Sequence, residues 1–288
     1  MGADDTDREK YLLNQPRRVP LGFEEHAGDR QFATTLARGI ELIRCFSAND
    51  TTLSNAEMAE RTGLPRPTIS RLTYTLVILG YLKPSLKYGK YQLGSALISA
   101  TYPLMSSIGL RQHARGLMNQ LADETGGEVS MGIRDRLNVV LIETSRSHAR
   151  NLVRPLGPMA DIGLSLPIAG TAIGRAWLAA CDDATRAAVL NELRVKAPDD
   201  WARFETDIHR SLEDCTKLGF CFSAGSLITD ICAVGAAYGR TASGEVIAFN
   251  CAFAAPMPGN QSREDWLRKD VGPRLMAMIY RLKESRAN

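Results

Sequence analysis

The sequence predicts an α+β protein in two parts: a compact helical unit closed by a β-ribbon, then a larger unit of antiparallel hairpins covered by helices. Three observations predict it. Apolar residues recur at helical spacing between positions 35 and 80 and end on two short strand-like runs. From position 128 onward, strand-like runs alternate with turn residues and helical stretches. Charge is divided as well. The whole chain carries only +3, yet residues 61–122 hold 8 basic side chains and no Asp or Glu. Residues 1–60 hold 7 basic and 11 acidic side chains, and residues 123–288 hold 20 and 21. An acid-free basic segment is the electrostatic footprint of a polyanion-binding module.

Residues 1–32 mix charges with Pro16 and Pro20 and read as a flexible N-terminal extension, with a short turn near Tyr11–Leu13. Leu36, Ile40, Ile43 and Phe46 then form the stripe of a first amphipathic helix. Ser54 and Glu57 make a capping-box signature, with Leu53 and Met58 at the staple positions, and Gly63 stops this second helix early. A third helix puts Ile69, Leu72, Leu76 and Leu79 on one face and ends at Gly80. Tyr81-Leu82 and Tyr91-Gln92-Leu93 read as a β-ribbon joined by the basic loop Lys83–Lys90. That order is the outline of a winged helix-turn-helix, here residues 33–94.

Ser95–Ser107 reads as a linker helix (residues 95–109), and Leu110–Glu124 opens the second domain, residues 110–288. Val129–Arg134 and Val139–Thr144 read as strands, and Pro167–Ala180, Asp182–Arg194 and Asp199–Leu218 as helices. Phe220–Ser223, Ile231–Arg240 and Val246–Ala254 are strands, and a helix over about Arg263–Glu284 closes the chain. Hairpins with helices beside them suggest an antiparallel sensor-like domain.

Composition excludes several classes. With 44% hydrophobic and 23% charged residues the chain is not disordered, and no apolar run is long enough to span a membrane. The polar start MGADDTDREK has no signal-peptide core, and the six cysteines lack CxxC spacing, so a reducing cytoplasm is the expected compartment. No HExxH, GxSxG, GxGxxG or Walker pattern occurs. No catalytic residue, metal ligand or cofactor is assigned.

DNA recognition needs a rigid element in the major groove and cations on the phosphates. The third helix offers Arg66, Thr68, Ser70, Arg71 and Tyr74 near its N-terminus, and the wing offers Lys83, Lys87 and Lys90. Double-stranded DNA is therefore the expected partner.

The stretch TTLARGIELIRCF…TLSNAEMAERTGLPRPTISRLTYTLVILGYL…GKYQLG resembles the N-terminal domain of IclR-type bacterial transcriptional regulators. The resemblance continues through LSLPIAGTAIGRAWLAA, GFCFSAGSLITDICAVGAAY and GEVIAFNCAFAAP, covering about residues 33–285. It implies a winged helix-turn-helix, a linker helix and a GAF-like antiparallel-sheet effector domain. It also implies homodimers or homotetramers on a palindromic operator, controlling catabolic genes in response to a small organic-acid effector. Pro67 departs from the family's small hydroxyl or Ala. It pushes Arg66 toward extended geometry, so the recognition helix is expected to start at Pro67.

Gly170-Thr171-Ala172-Ile173-Gly174 opens an apolar helix, and a helix N-terminus presents oriented N–H groups to anions. The resemblance places effector contacts at Ala172, Ile173, Ser223, Ala233, Asn250 and Ala252. Ser223–Ser226 stands where the family pattern is acid-rich, Asp230 where Gly is common and Ala237 where Pro often is. Ser for Asp and Ala for polar residues suit a larger, less polar ligand such as an aromatic acid. Arg134, Arg150 and Arg154 are further candidates to pair an acidic ligand. Two other readings stay open. Cys221, Cys232 and Cys251 fall on three strands and would serve a thiol- or metal-responsive regulator if they converge, whereas a catalytic C-terminal domain is the remote alternative.

Overall fold

A computed structural model describes residues 31–147, 161–242, 244–254 and 262–287. Almost all of the N-terminal extension, with the turn expected near Tyr11–Leu13, lies outside these residues, as do Arg150 and Arg154. The chain divides into two compact units, residues 1–107 and 108–288.

In the first unit α1 (Thr34–Arg44) precedes β1 (Leu53–Ser54), α2 (Asn55–Thr62), α3 (Arg66–Ile78), β2 (Leu82–Pro84), β3 (Lys90–Leu93) and α4 (Ala96–Ser107). The three strands form one antiparallel sheet, in the order β1-β3-β2. The expected capping box is formed: Ser54 Oγ accepts from the Glu57 N–H at 3.2 Å, and the Ser54 N–H donates to the Glu57 carboxylate at 2.7 Å. Gly63 ends α2 at φ 67°, the left-handed conformation that glycine adopts without strain. The core is Leu42, Phe46, Leu53, Met58, Ile69, Leu76 and Leu82.

Three expectations need correction here. On α1 the buried residues are Gly39, Glu41 and Leu42, while Leu36 and Ile40 face outward. Leu42 and Phe46 fill the core with Ile43 packed beside them, so the buried stripe runs through Gly39 and Leu42 and leaves Leu36 and Ile40 outside it. Leu79 is also exposed, because α3 ends at Ile78 and Gly80 turns the chain at φ 76°. And α3 begins at Arg66, one residue early. The Thr68 and Ile69 N–H groups both donate to the Pro65 carbonyl (2.9 and 3.1 Å), closing a first turn that offsets the pre-proline restriction on Arg66.

The second unit begins with α5 (Leu110–Thr125). Then come β4 (Glu128–Asp135), β5 (Asn138–Arg146), β6 (Ser165–Pro167), α6 (Ala172–Ala180), α7 (Asp183–Lys196) and α8 (Pro198–Leu218). β7 (Phe220–Ala224), β8 (Ile231–Arg240), β9 (Val246–Ala254), α9 (Arg263–Trp266) and α10 (Gly272–Ala287) complete it. Six antiparallel strands run in the order β6-β5-β4-β9-β8-β7. Pro167 belongs to a strand rather than to the following helix, which starts at Ala172 where Thr171 Oγ1 accepts from the Gly174 N–H. The closing helix is interrupted by a π turn at Leu267–Val271.

Strand alternation separates two sheet faces. On one, Cys251 meets Thr125 of α5 at 3.6 Å and Phe253 stacks edge-on against Trp266. On the other, Val139, Leu141, Cys221 and Ala248 pack with Ile173 and Trp177 of α6 and Phe204 and Ile208 of α8.

Candidate nucleic-acid interface and effector site

Helices α2 and α3 are locked by one amide. The Asn55 Nδ2 group donates to Ser70 Oγ at 3.2 Å, and Asn55 Oδ1 accepts from the buried Thr73 hydroxyl at 3.1 Å. Sequence reasoning missed Asn55, which sits inside an ordinary helix start. From this anchor α3 presents Arg66, Ser70, Arg71 and Tyr74 to solvent, with Thr68 half-buried and Ile69 turned into the core.

The basic residues of this unit separate into two groups. Arg61 is neutralised by Asp50 at 2.8 Å and also donates to the Cys45 carbonyl. Lys90 is bound to Glu57 at 2.7 Å. Without DNA its ammonium thus fixes the wing against α2. Arg66, Arg71, Lys83 and Lys87 make no side-chain ion pair or hydrogen bond among the described residues and are exposed.

In the second unit the expected effector residues fall on one face of the sheet. The register aligns Ser223, Ala233, Ala252 and Glu128 in one row, and Cys221, Gly235, Asn250 and Ser130 in the next. The N-terminus of α6 lies directly above: a Cβ on Gly235 would overlap the Ala172 carbonyl and approach the Ile173 nitrogen. Ala172, Ala233, Ala252 and Ala254 form a small-residue cluster bordered by Ile231. The structure therefore brings Ala172, Ala233 and Ala252 together and places Asn250 and Ser223, both buried, on the same face.

Two further features border this cluster. The Asn250 side chain makes no hydrogen bond among the described residues, and its Oδ1 is fully buried. Glu128 is buried at the end of the first row and accepts from Arg146 Nε at 3.2 Å. Burial pushes its carboxyl up to about 7, opposed by Arg146 and reinforced by Asp161. Glu128 escaped sequence reasoning because it reads as an ordinary polar strand start. On α6 itself, the buried Arg175 guanidinium donates to the Ala169 carbonyl at 2.8 Å and to Asp207 at 3.2 Å, fixing the loop ahead of the helix.

The other candidates do not join this site. Arg134 pairs with Glu192 at 2.9 Å and lies over the Trp177 ring. The three strand cysteines do not converge. Cys221 points toward α6, where its thiol meets the Ala172 carbonyl, while Cys232 and Cys251 lie on the opposite face. Burial pushes the Cys232 thiol up to about 11 and the Cys251 thiol up to about 12, so neither readily forms the thiolate needed for metal binding or oxidation. Among the described residues no three His, Cys, Asp or Glu side chains are grouped to hold a metal, and no helix is long and apolar enough to cross a membrane.

A winged helix-turn-helix with an unneutralised basic reading head, followed by an antiparallel-sheet domain with helices, is the architecture of a DNA-binding transcriptional regulator. Residues 35–85 match the IclR helix-turn-helix domain and residues 103–263 the bacterial transcriptional regulator IclR C-terminal domain. The chain belongs to the IclR family of DNA-binding transcriptional regulators. It is 34% identical over 245 residues to the HTH-type transcriptional regulator TsaQ1/TsaQ2 of Comamonas testosteroni, covering 85% of each chain. It is 36% identical to an IclR family transcriptional regulator from Brucella abortus, covering 94% of this chain and 98% of that one, with a TM-score of 0.77. An IclR homologue from Microbacterium hydrocarbonoxydans, solved in complex with 4-hydroxybenzoate, shares the fold at 18% identity and a TM-score of 0.61, covering 86% of this chain and 99% of that one.

Proposed function

We propose that residues 33–94 bind a palindromic operator, that residues 95–109 link this module to residues 110–288, and that the latter domain senses a small organic acid, aromatic in type. On this reading the protein works in the cytoplasm and controls genes that degrade the acid. Arg66, Arg71, Lys83 and Lys87 are the DNA-contacting cations, with Thr68, Ser70 and Tyr74 completing the reading face. Ala172 and Ile173 offer backbone N–H groups to the effector carboxylate, over a floor of Ser223, Ala233, Asn250 and Ala252. The observation that carries the effector reading is the small-residue cluster Ala172, Ala233, Ala252 and Ala254 at the α6 N-terminus, bordered by the buried Asn250 Oδ1 that has no donor among the described residues. The 4-hydroxybenzoate complex of the Microbacterium homologue supports the same class of ligand.

Self-association is supported by apolar side chains exposed on the first unit, Leu36 and Ile40 on α1 and Ile98, Tyr102 and Leu104 on α4. Homodimers present two reading heads to two half-sites, and homotetramers would present four. Genomic footprinting of the protein tests the whole reading. Binding sites upstream of genes for degrading an aromatic acid are expected, and sites with no such neighbours would overturn the catabolic assignment.

A further inference from the structure

Glu128 is used by nothing described above. It is a carboxylate buried on the face of the sheet that carries the effector residues, in the same row as Ala233 and Ala252. Two strand spacings separate Ala233, below the α6 N-terminus, from Glu128, about 10 Å in all. That is about the reach of a benzene ring with polar groups at opposite ends, hydrogen bonds included. Arg146, on the neighbouring strand, holds one carboxylate oxygen, and Glu128 makes no other side-chain hydrogen bond among the described residues. Asn250 adds a second acceptor between the two ends, its buried Oδ1 without a donor. Its neighbour in the next row, Ser130, is satisfied by Thr144 at 3.2 Å. The free polar capacity of this face thus includes two acceptors, the Glu128 carboxylate and Asn250 Oδ1.

We propose that Glu128, steadied by Arg146, is the specificity-determining residue at the far end of the effector site, where it accepts a hydrogen bond from a hydroxyl para to the effector's carboxylate. The inference rests on the aromatic-acid reading above and deepens it: the ligand class is a hydroxylated aromatic acid. Asn250 Oδ1 suits a further donor on the ring edge. A charged acceptor in a buried site rewards a hydroxyl strongly and leaves a ligand without one facing an unsatisfied carboxylate.

The groups facing Glu128 are Arg146 on β5 and Asp161 ahead of β6, with the Cys251 thiol nearby on β9. Arg146 favours the ionised carboxylate; Asp161 and burial oppose it. Binding of the hydroxylated acid should therefore strengthen several-fold from pH 6 to pH 8, as Glu128 ionises.

The test is calorimetric titration of the full-length protein with benzoate and 4-hydroxybenzoate, for wild type, Glu128→Ala and Glu128→Gln. Wild type should prefer 4-hydroxybenzoate by about tenfold or more, the worth of a hydrogen bond to a charged group. Glu128→Ala should erase that preference while binding benzoate at least as tightly as wild type, because the unsatisfied carboxylate is gone; retained benzoate binding also reports that the site is folded. Glu128→Gln keeps an acceptor oxygen without the charge, so it should retain part of the preference and lose its pH dependence. Benzoate binding with an unchanged hydroxyl preference in Glu128→Ala overturns this inference alone. Failure of both acids to bind wild type at millimolar concentration overturns the aromatic-acid reading together with it.

Discussion

The Lys90 ammonium lies 2.7 Å from Glu57 Oε1, while Oε2 of the same carboxylate accepts from the Ser54 N–H and hydroxyl. Ser54 is itself the β-partner of Lys90. One carboxylate therefore caps α2 and clamps the wing. Glu57→Gln should lower DNA affinity without flattening the salt dependence, because the wing loses its anchor and none of its free cations, while Lys90 is released. Electrophoretic-shift titrations across salt concentrations check this. A flattened salt slope in Glu57→Gln would contradict it.

The two free wing lysines should behave in the opposite way. Lys83→Ala and Lys87→Ala should each flatten the slope of log K against log salt by about 0.9 if each neutralises one phosphate. Lys90→Ala should weaken binding with little change of slope. Equal slope changes at all three positions would mean that Lys90 leaves Glu57 on binding DNA.

Glu57 and Glu128 should tilt stability in opposite directions with pH. Hydrogen bonds from Lys90 and Ser54 hold the Glu57 carboxyl down at about 2, so its stabilisation is full above the ordinary carboxylate value of 4.5 and is lost as pH falls toward 2. Burial raises the Glu128 carboxyl to about 7, so the folded state binds its proton more tightly than the unfolded chain. Its contribution improves as pH falls from 7 toward 4.5. Denaturant titrations from pH 3 to 8 should show Glu57→Gln least stable relative to wild type near neutrality and converging with it at the acid end. A deficit constant with pH would rule out the ion pair as the cause.

Gly235→Ala should disturb the effector site specifically, since the added methyl would strike the Ala172 carbonyl at the head of α6. Overpacking of this kind costs about 1–3 kcal/mol. A lower Tm with loss of acid binding and retained DNA binding is expected. Unimpaired acid binding would place the ligand elsewhere.

Thiol reactivity separates an acid sensor from a redox sensor. Cys221, Cys232 and Cys251 are buried with raised thiols, so a disulfide-exchange reagent at pH 8 should modify them only on unfolding. The half-buried Cys215 should react earlier. Rapid modification of Cys232 or Cys251 in the native protein would return the thiol reading to contention.

Much of this was legible in the sequence wherever one local rule decided the outcome. The Ser54–Glu57 box, Gly63, and the strands Ile231–Arg240 and Val246–Ala254 follow from capping and alternation, which need no knowledge of neighbours. The stripe of α1 misled because Leu36 and Ile40 are apolar and yet lie outside the core of their own unit. The site was legible as a set of positions and not as chemistry. Asn55, Lys90 and Glu128 each take their role from a partner remote in sequence, at Thr73, Glu57 and Arg146, and spacing along the chain does not encode such pairs.

The start of α3 has a last consequence. Pro67, the second helical residue, has no N–H, and the Thr68 and Ile69 N–H groups are already spent on Pro65, so the first turn offers a phosphate little backbone grip beyond Arg66. A reading head that grasps DNA through exchangeable side chains is readily retuned by point mutation. Substitution of Arg66 or Arg71 should therefore change operator preference while leaving the helix intact.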